Sequence, residues 1–368
     1  MKKYVAALGS LFFCVAALTM SAHTVSADAG GINLTTSPIV TSITGKPGGS
    51  ATTTLHVQNN NANPVTINVV LETFRALGTN GAARMMPFAK NDPSGSWVHF
   101  SQDSFVAQPG IWSSVTMTVN LPKNASLGYY YAVIFKPQVA DAASDLGSTI
   151  KGGDAILVLV NAMTGNEHPQ VSVTNFSADK KLYEYLPANF SVTVKNTGNI
   201  FLAPTGDVYI SKSSDFTHSI DTIPVNYADG NVLAGTSRTF TAEWADGFPV
   251  FKPKTVDGNK ITDKKGNVEQ SLNWNLASAG KLRFGKYYAK LVLAYNNGSR
   301  DVPIVAVVSF WVIPWKVLLV GVVALILILI GLYASGKKLA ARTIRLSKKV
   351  KPRKRTDDDG NSAGDTGA

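Results

Sequence analysis

The chain has 368 residues, of which 45% are hydrophobic and only 16% charged, and its formal charge is +11. Ordinary domains carry about 25% charged residues, so neutral polar side chains must build much of this surface. The positive charge gathers at the ends, in Lys2 and Lys3 and in ten Lys/Arg against four Asp from Gly336 onward, and no basic face clusters between them, which argues against nucleic acid as a partner.

Met1–Ala27 reads as a secretory signal, with Lys2-Lys3, an apolar run around Leu8–Met20, and Val25-Ser26-Ala27 before Asp28. The single cysteine, Cys14, lies inside that run. Its removal with the signal leaves a chain without thiols, which excludes disulfides, thiolate catalysis and cysteine-held metals.

From Asp28 to Trp315 short runs alternate in polarity, as in Val65-Thr66-Ile67-Asn68-Val69 and Val115-Thr116-Met117-Thr118-Val119. Period two with β-branched residues, bounded by Gly, Pro and Asn, predicts half-buried strands of an antiparallel sandwich. The pattern also repeats. SATTTLHVQN at Ser50–Asn59 matches ANFSVTVKN at Ala188–Asn196, and Gly128-Tyr129-Tyr130-Tyr131-Ala132 matches Gly285-Lys286-Tyr287-Tyr288-Ala289. The fold class is therefore all-β: two tandem immunoglobulin-like β-sandwich domains, 28–165 and 166–313, plus one C-terminal transmembrane helix. In such folds a tyrosine near the start of a late strand closes a corner by bonding backbone upstream, which gives the paired tyrosines a structural role.

The second copy is longer because of a polar insertion, 245–271, with no counterpart in the first. Its Asp-Gly and Gly-Asn pairs predict a protruding hairpin. Phe248, Val250 and Phe251 stand there among Lys252, Lys254 and Lys260. Apolar and cationic groups on one loop make Phe248, Phe251, Lys252, Lys254 and Lys260 the candidate partner-binding residues.

No catalytic, cofactor or metal site is expected. His56, His99, His168 and His218 lack ligand spacing, and no nucleophile elbow or phosphate loop appears. Asp257–Asp263 imitates a calcium loop but has Ile261 at its fifth position and lacks the expected glycine.

Val317–Tyr333 is uncharged, and Trp315 and Tyr333 flank it, so 314–334 is assigned as a membrane-spanning helix. Lys337, Lys338, Arg342 and Arg345 follow directly. Positive charge resists translocation, so 335–368 is expected in the cytoplasm and the sandwiches outside, a single-pass type I topology. Lys337–Arg355 is expected either as a helix on the anionic inner leaflet or as a disordered stop-transfer tail.

This order of segments resembles the WxL-interacting proteins of Gram-positive bacteria. The resemblance is carried by Lys46-Pro47-Gly48-Gly49 before a strand ending in Asn59, by Leu127-Gly128-Tyr129-Tyr130, and by Gly152-Gly153-Asp154-Ala155-Ile156-Leu157-Val158. Gly31-Ile32-Asn33-Leu34 stands where that family carries an aromatic segment. The resemblance implies a cell-surface protein that binds cell-wall polymer or a surface protein, without catalysis. Two other classes stay open: a periplasmic-chaperone-like assembly factor, since that fold also pairs two sandwiches, and a glycan-active enzyme, which would need facing carboxylates in a cleft.

Overall fold

A computed structural model describes residues 33–138 and 154–349, the last ten of these by backbone alone. The secretory signal with Cys14, and the tail beyond 349, lie outside the described residues.

The first sandwich contains β1 (Leu34–Ser37), β2 (Val40–Gly45), β3 (Ser50–Asn59), β4 (Val65–Leu77), β5 (Ala82–Met86), β6 (Val98–Phe100), β7 (Ser104–Ala107), β8 (Trp112–Asn120), β9 (Gly128–Pro137) and β10 (Asp154–Ala162). One sheet runs β1-β3-β8-β6 and the other β2-β10-β9-β4-β5, with β7 also on β4. The alternation read from the sequence is the reason. In β3 the buried positions are Ala51, Leu55, Val57 and Asn59, all odd-numbered, because successive side chains leave a strand on opposite faces. Leu55, Val57, Val115, Met117, Val133 and Phe135 meet between the sheets as one core.

The second sandwich contains β11 (Val171–Ala178), β12 (Leu182–Tyr183), β13 (Ala188–Asn196), β14 (Thr205–Ser211), β15 (Asp221–Val225), β16 (Ser237–Trp244), β17 (Val250–Pro253), β18 (Thr255–Val256), β19 (Asn259–Lys260), β20 (Gln270–Asn273), β21 (Gly285–Asn296) and β22 (Asp301–Val312). Its sheets run β11-β13-β16 and β12-β22-β21-β14-β15. The topology repeats that of the first copy: a short strand, β2 or β12, pairs parallel to the last strand, β10 or β22. Its core is aromatic, with the Trp244 ring 5.1 Å from Tyr287 and Phe190 5.5 Å from Phe310. Two immunoglobulin-like sandwiches in tandem are what the fold class called for.

The repeat extends to buried polar groups. Asn59 Nδ2 donates to the carbonyls of Asn63 (2.8 Å) and Ala107 (3.0 Å), while its Oδ1 accepts from the Asn61 N–H. Asn196 Nδ2 donates to Ile200 (2.7 Å) and Val232 (2.9 Å), and its Oδ1 accepts from the Gly198 N–H. Each amide ties a strand end to two neighbouring segments and is fully buried. The tyrosine corner appears in both copies as well. Tyr129 Oη accepts from the Ser126 N–H and Tyr287 Oη from the Phe284 N–H, each three residues upstream. The structural match is therefore Tyr129 with Tyr287, one residue out of step with the match of the Gly-x-Tyr-Tyr letters, which sets Tyr130 against Tyr287.

Helix α1 (Trp315–Lys349) follows β22 after two residues. Its segment Trp315–Leu339 is long and apolar enough to cross a membrane, and holds an 18-residue stretch of mean hydropathy 3.0 that is not buried against the sandwiches. The helix runs on beyond 334 to Lys349, so that part of the basic segment is helical.

Candidate functional site

β9 breaks the alternation. Tyr131, Ala132, Val133, Ile134 and Phe135 are all buried, so both faces of this strand are covered. Tyr131, Val133 and Phe135 point into the first core. Ala132 and Ile134 point the other way, joined by Phe74 and Leu159, and meet Phe201 and Leu233 of the second sandwich. The outer face of one sandwich is thus buried by the loops at one end of the other.

Polar contacts complete the join. The Thr239 N–H donates to the Thr79 carbonyl at 2.6 Å. Tyr130 Oη accepts from the Ala234 N–H at 3.3 Å, and its ring packs 5.7 Å from Phe74. Burial pushes the Tyr130 hydroxyl above its ordinary pKa, the Ala234 bond opposing it only in part.

Arg238 opens β16 beside this join. A Cβ on Gly81 would come within 2.6 Å of its Nη2, and one on Gly230 within 2.9 Å of its Cζ. The guanidinium therefore lies between the backbone of a first-sandwich turn and that of a second-sandwich loop, in space that two glycines leave open. Its Nη1 donates to the Asn231 carbonyl at 2.9 Å, and its Cζ sits 5.4 Å from the Phe240 ring centre. Burial lowers its pKa. Among the described residues no carboxylate forms an ion pair with it.

Next to Arg238 is a cavity of about 180 Å³, with Phe74, Leu157, Leu159 and Leu233 on its walls and Asp229 beside them. Greasy walls with one guanidinium at the edge suit an apolar side chain adjoining an acidic group. Sequence reasoning missed this cleft. The signal was present in the unbroken apolar runs Tyr131–Phe135 and Ile156–Val160, which mark strands covered on both faces.

The insertion lies at the opposite end of the second sandwich, where α1 leaves it. β17 pairs with β20 and β18 with β19. Asp257 and Gly258, with φ of 49° and 81°, form the two-residue turn of the expected hairpin. Phe248 packs 5.7 Å from Trp274, and Phe251 6.0 Å from Tyr185, both half-buried, so these rings fasten the hairpin to the sandwich. Lys252, Lys254 and Lys260 are exposed, and Lys254 pairs with Glu269 at 2.9 Å. The five candidate residues thus split into two staples and three solvent-facing cations. Asp263 accepts from the N–H groups of Lys265 and Asn267, a turn cap in place of a metal ligand. The backbone bond from Asn267 is the main cause holding its carboxyl below the usual range.

Among the described residues no group of three or more His, Cys, Asp or Glu is placed to hold a metal ion. His56 bonds Ser114 at 2.9 Å, and His99 bonds Asn120 at 3.3 Å on the same sheet face.

Strand pairing and the terminal helix define the class: two immunoglobulin-like sandwiches followed by a helix able to span a membrane. No family model matches the chain, and no curated protein matches it. Similar solved structures include the class 5 fimbriae chaperone CfaA, with 14% identity over 75% of this chain and 98% of that one, at a TM-score of 0.36. The YadV chaperone gives 8% identity over 75% and 100%, TM-score 0.32. The CupB2 chaperone of Pseudomonas aeruginosa gives 8% over 76% and 100%, TM-score 0.30. The fold assignment rests on the strand pairing described above and takes nothing from these likenesses.

Proposed function

We propose that this chain is a non-catalytic, membrane-anchored cell-surface protein that holds a protein partner in the cleft between its sandwiches. The cleft carries the reading: a largely apolar cavity beside an arginine with which no carboxylate among the described residues forms an ion pair. A polyhydroxylated wall polymer would leave those walls unused, whereas an apolar side chain next to an acidic group fills both features. The basic residues after the span support an orientation with the sandwiches outside and the C-terminus in the cytoplasm. A surface protein with this order of segments is also what the resemblance to WxL-interacting proteins implies.

A second reading, an envelope assembly factor that offers a strand to a client, is favoured by the edge of β22. Along its length β22 pairs with β21, but on its other side, among the described residues, it pairs with β12 only at Trp311 and Val312. In the first sandwich the equivalent strand β10 is covered by β2 from Leu157 to Ala162. An open edge is a template for an added strand.

A photoreactive residue at Ala82, on the cavity wall, tests the proposal in intact cells. A crosslinked species digested by protease is expected. An adduct whose mass collapses to that of the chain on treatment with wall hydrolase would replace the protein partner with polymer. Crosslinking from Val305, on β22, in place of Ala82 would favour the assembly reading.

A further inference from the structure

The join between the second sandwich and α1 leaves no slack. Only Ile313 and Pro314 separate β22 from the helix. The Ile313 N–H donates to the Tyr183 carbonyl at 2.8 Å, the Trp315 N–H to the Ile313 carbonyl at 2.8 Å, and Lys316 Nζ reaches Glu184 Oε2 at 3.0 Å. A helix that spans a bilayer from Trp315 therefore holds this end of the sandwich against the headgroups.

Strand register fixes which residues lie at that end. Gly285 pairs with Val312, so Phe284 stands level with Ile313, and Leu182 pairs with Trp311. At about 3.3 Å per strand residue, Phe284 lies within roughly 10 Å of the helix start. Leu282 forms a bridge with Phe248, and the short helical turn Leu276–Lys281 leads into it. Leu182, Trp274, Leu276, Leu282, Phe284 and Trp311 are all exposed, Leu276 by 76% and Phe284 by 50%. Lys286 stands opposite Trp311 in the register, and Lys252 is exposed on the neighbouring hairpin. Scattered single apolar residues on a surface need no explanation, but six around the root of a spanning helix share one neighbour.

We propose that this base, hairpin root included, is a second membrane-binding surface that seats on the outer headgroup layer and fixes the tilt of the sandwiches. Aromatic and leucine side chains dip into the interface, and lysines among them meet anionic headgroups. The proposal rests on α1 spanning a membrane and assigns the base of the insertion to lipid, leaving the cleft at the far end for the partner.

The test uses the chain from Asp28 onward, free of the apolar run of the secretory signal and of Cys14, reconstituted in phosphatidylcholine/phosphatidylglycerol vesicles without any partner. Nitroxide labels are placed by Leu276→Cys, Phe284→Cys and, as the aqueous control, Tyr227→Cys, which is 88% exposed at the cleft end. Collision with a water-soluble nickel chelate should fall several-fold at 276 and 284 relative to 227. Equal collision at all three sites overturns the proposal. Flotation separates the two failures: a chain that does not float with vesicles loses the anchor itself, and one that floats with aqueous labels loses only the base contact. If a labelled variant fails to fold, tryptophan quenching by brominated lipid is compared between the chain with Trp274 and Trp274→Phe. Quenching that is lost with Trp274 supports the contact, and quenching unchanged by the substitution refutes it.

Discussion

Tyr130 of the first sandwich accepts a hydrogen bond from the backbone N–H of Ala234 in the second, across 104 residues of sequence. Its neighbour Tyr131 is turned into the first core and donates to the Ser94 carbonyl at 3.1 Å. Adjacent strand residues face opposite ways, so one tyrosine serves the core and the next serves the join. Tyr130→Phe keeps the ring on Phe74 and removes the bond. A loss of about 0.5–1.5 kcal/mol is expected. Amide exchange at Ala234 should quicken while that at Val133 stays slow; an unchanged Ala234 rate would show that the bond does not form in solution.

Arg238 is expected to matter for binding more than for folding of either sandwich. Arg238→Ala should weaken partner capture about tenfold or more, the loss of one charge-assisted contact of roughly 1.5–3 kcal/mol. Arg238→Lys should recover only part, because an ammonium cannot reproduce a planar fork lying between two glycine backbones. Full capture by Arg238→Ala, in the same crosslinking assay, would move the site out of the cleft.

The two buried asparagines give a paired stability test. Asn196→Ala strands two carbonyls and one N–H, at an expected cost of about 2–4 kcal/mol, and Asn59→Ala should cost a similar amount in the first sandwich. Asn196→Asp should cost more than alanine near neutral pH, since a carboxylate would face the Ile200 and Val232 carbonyls. Urea unfolding at pH 7 reads all three. An aspartate variant as stable as wild type would show that this side chain does not sit between those carbonyls.

Asp246 links stability to pH. Burial alone would raise its pKa, but Lys281 and Arg283, each 2.5 Å away, hold the carboxyl below its ordinary range. A depressed folded pKa contributes stability that is present above the unfolded value, about 4, and is lost as the pH falls through the folded value. Asp246→Asn should therefore lower stability by about 1 kcal/mol at pH 7, and the gap to wild type should close on acidification. Melting curves from pH 7 to pH 2 measure it; a gap that widens in acid contradicts the assignment.

The insertion divides into a removable tip and an integral root. Joining residues 253 and 270 through a two-residue turn removes β18 and β19 and should leave the melting temperature nearly unchanged. Val250 belongs to the second core, at 8% exposure, and bridges Leu186. Val250→Ala should cost about 1–2.5 kcal/mol, so replacing 245–271 entire is expected to destabilise the sandwich although the first copy closes without any such segment. Equal stability of the two deletions would place the root outside the core.

Much of this architecture was legible in the letters because it depends on local periodicity. Alternation in Ser50–Asn59 forces one face inward, the Asp257-Gly258 pair takes the positive φ angles of a tight hairpin, and an uncharged run from Val317 to Tyr333 suits hydrocarbon in any context. The repeat of Asn59 in Asn196 was visible too, though not the three hydrogen bonds that explain it. The tertiary structure decided the rest. Tyr129 matches Tyr287 because the hydroxyl must reach a backbone N–H three residues upstream, a constraint of the corner that the repeated Gly-x-Tyr-Tyr does not encode. Phe248 and Phe251 read as free contacts, yet Trp274 and Tyr185 fold over them from elsewhere in the chain. The cleft needed both sandwiches: Gly81 and Arg238 are 157 positions apart, and only docking of the outer face of β9 on the Phe201 and Leu233 loops brings the guanidinium between two glycine backbones. Periodicity fixes which face of a strand is buried, but not what buries it, because long-range contact depends on the packing of the whole chain.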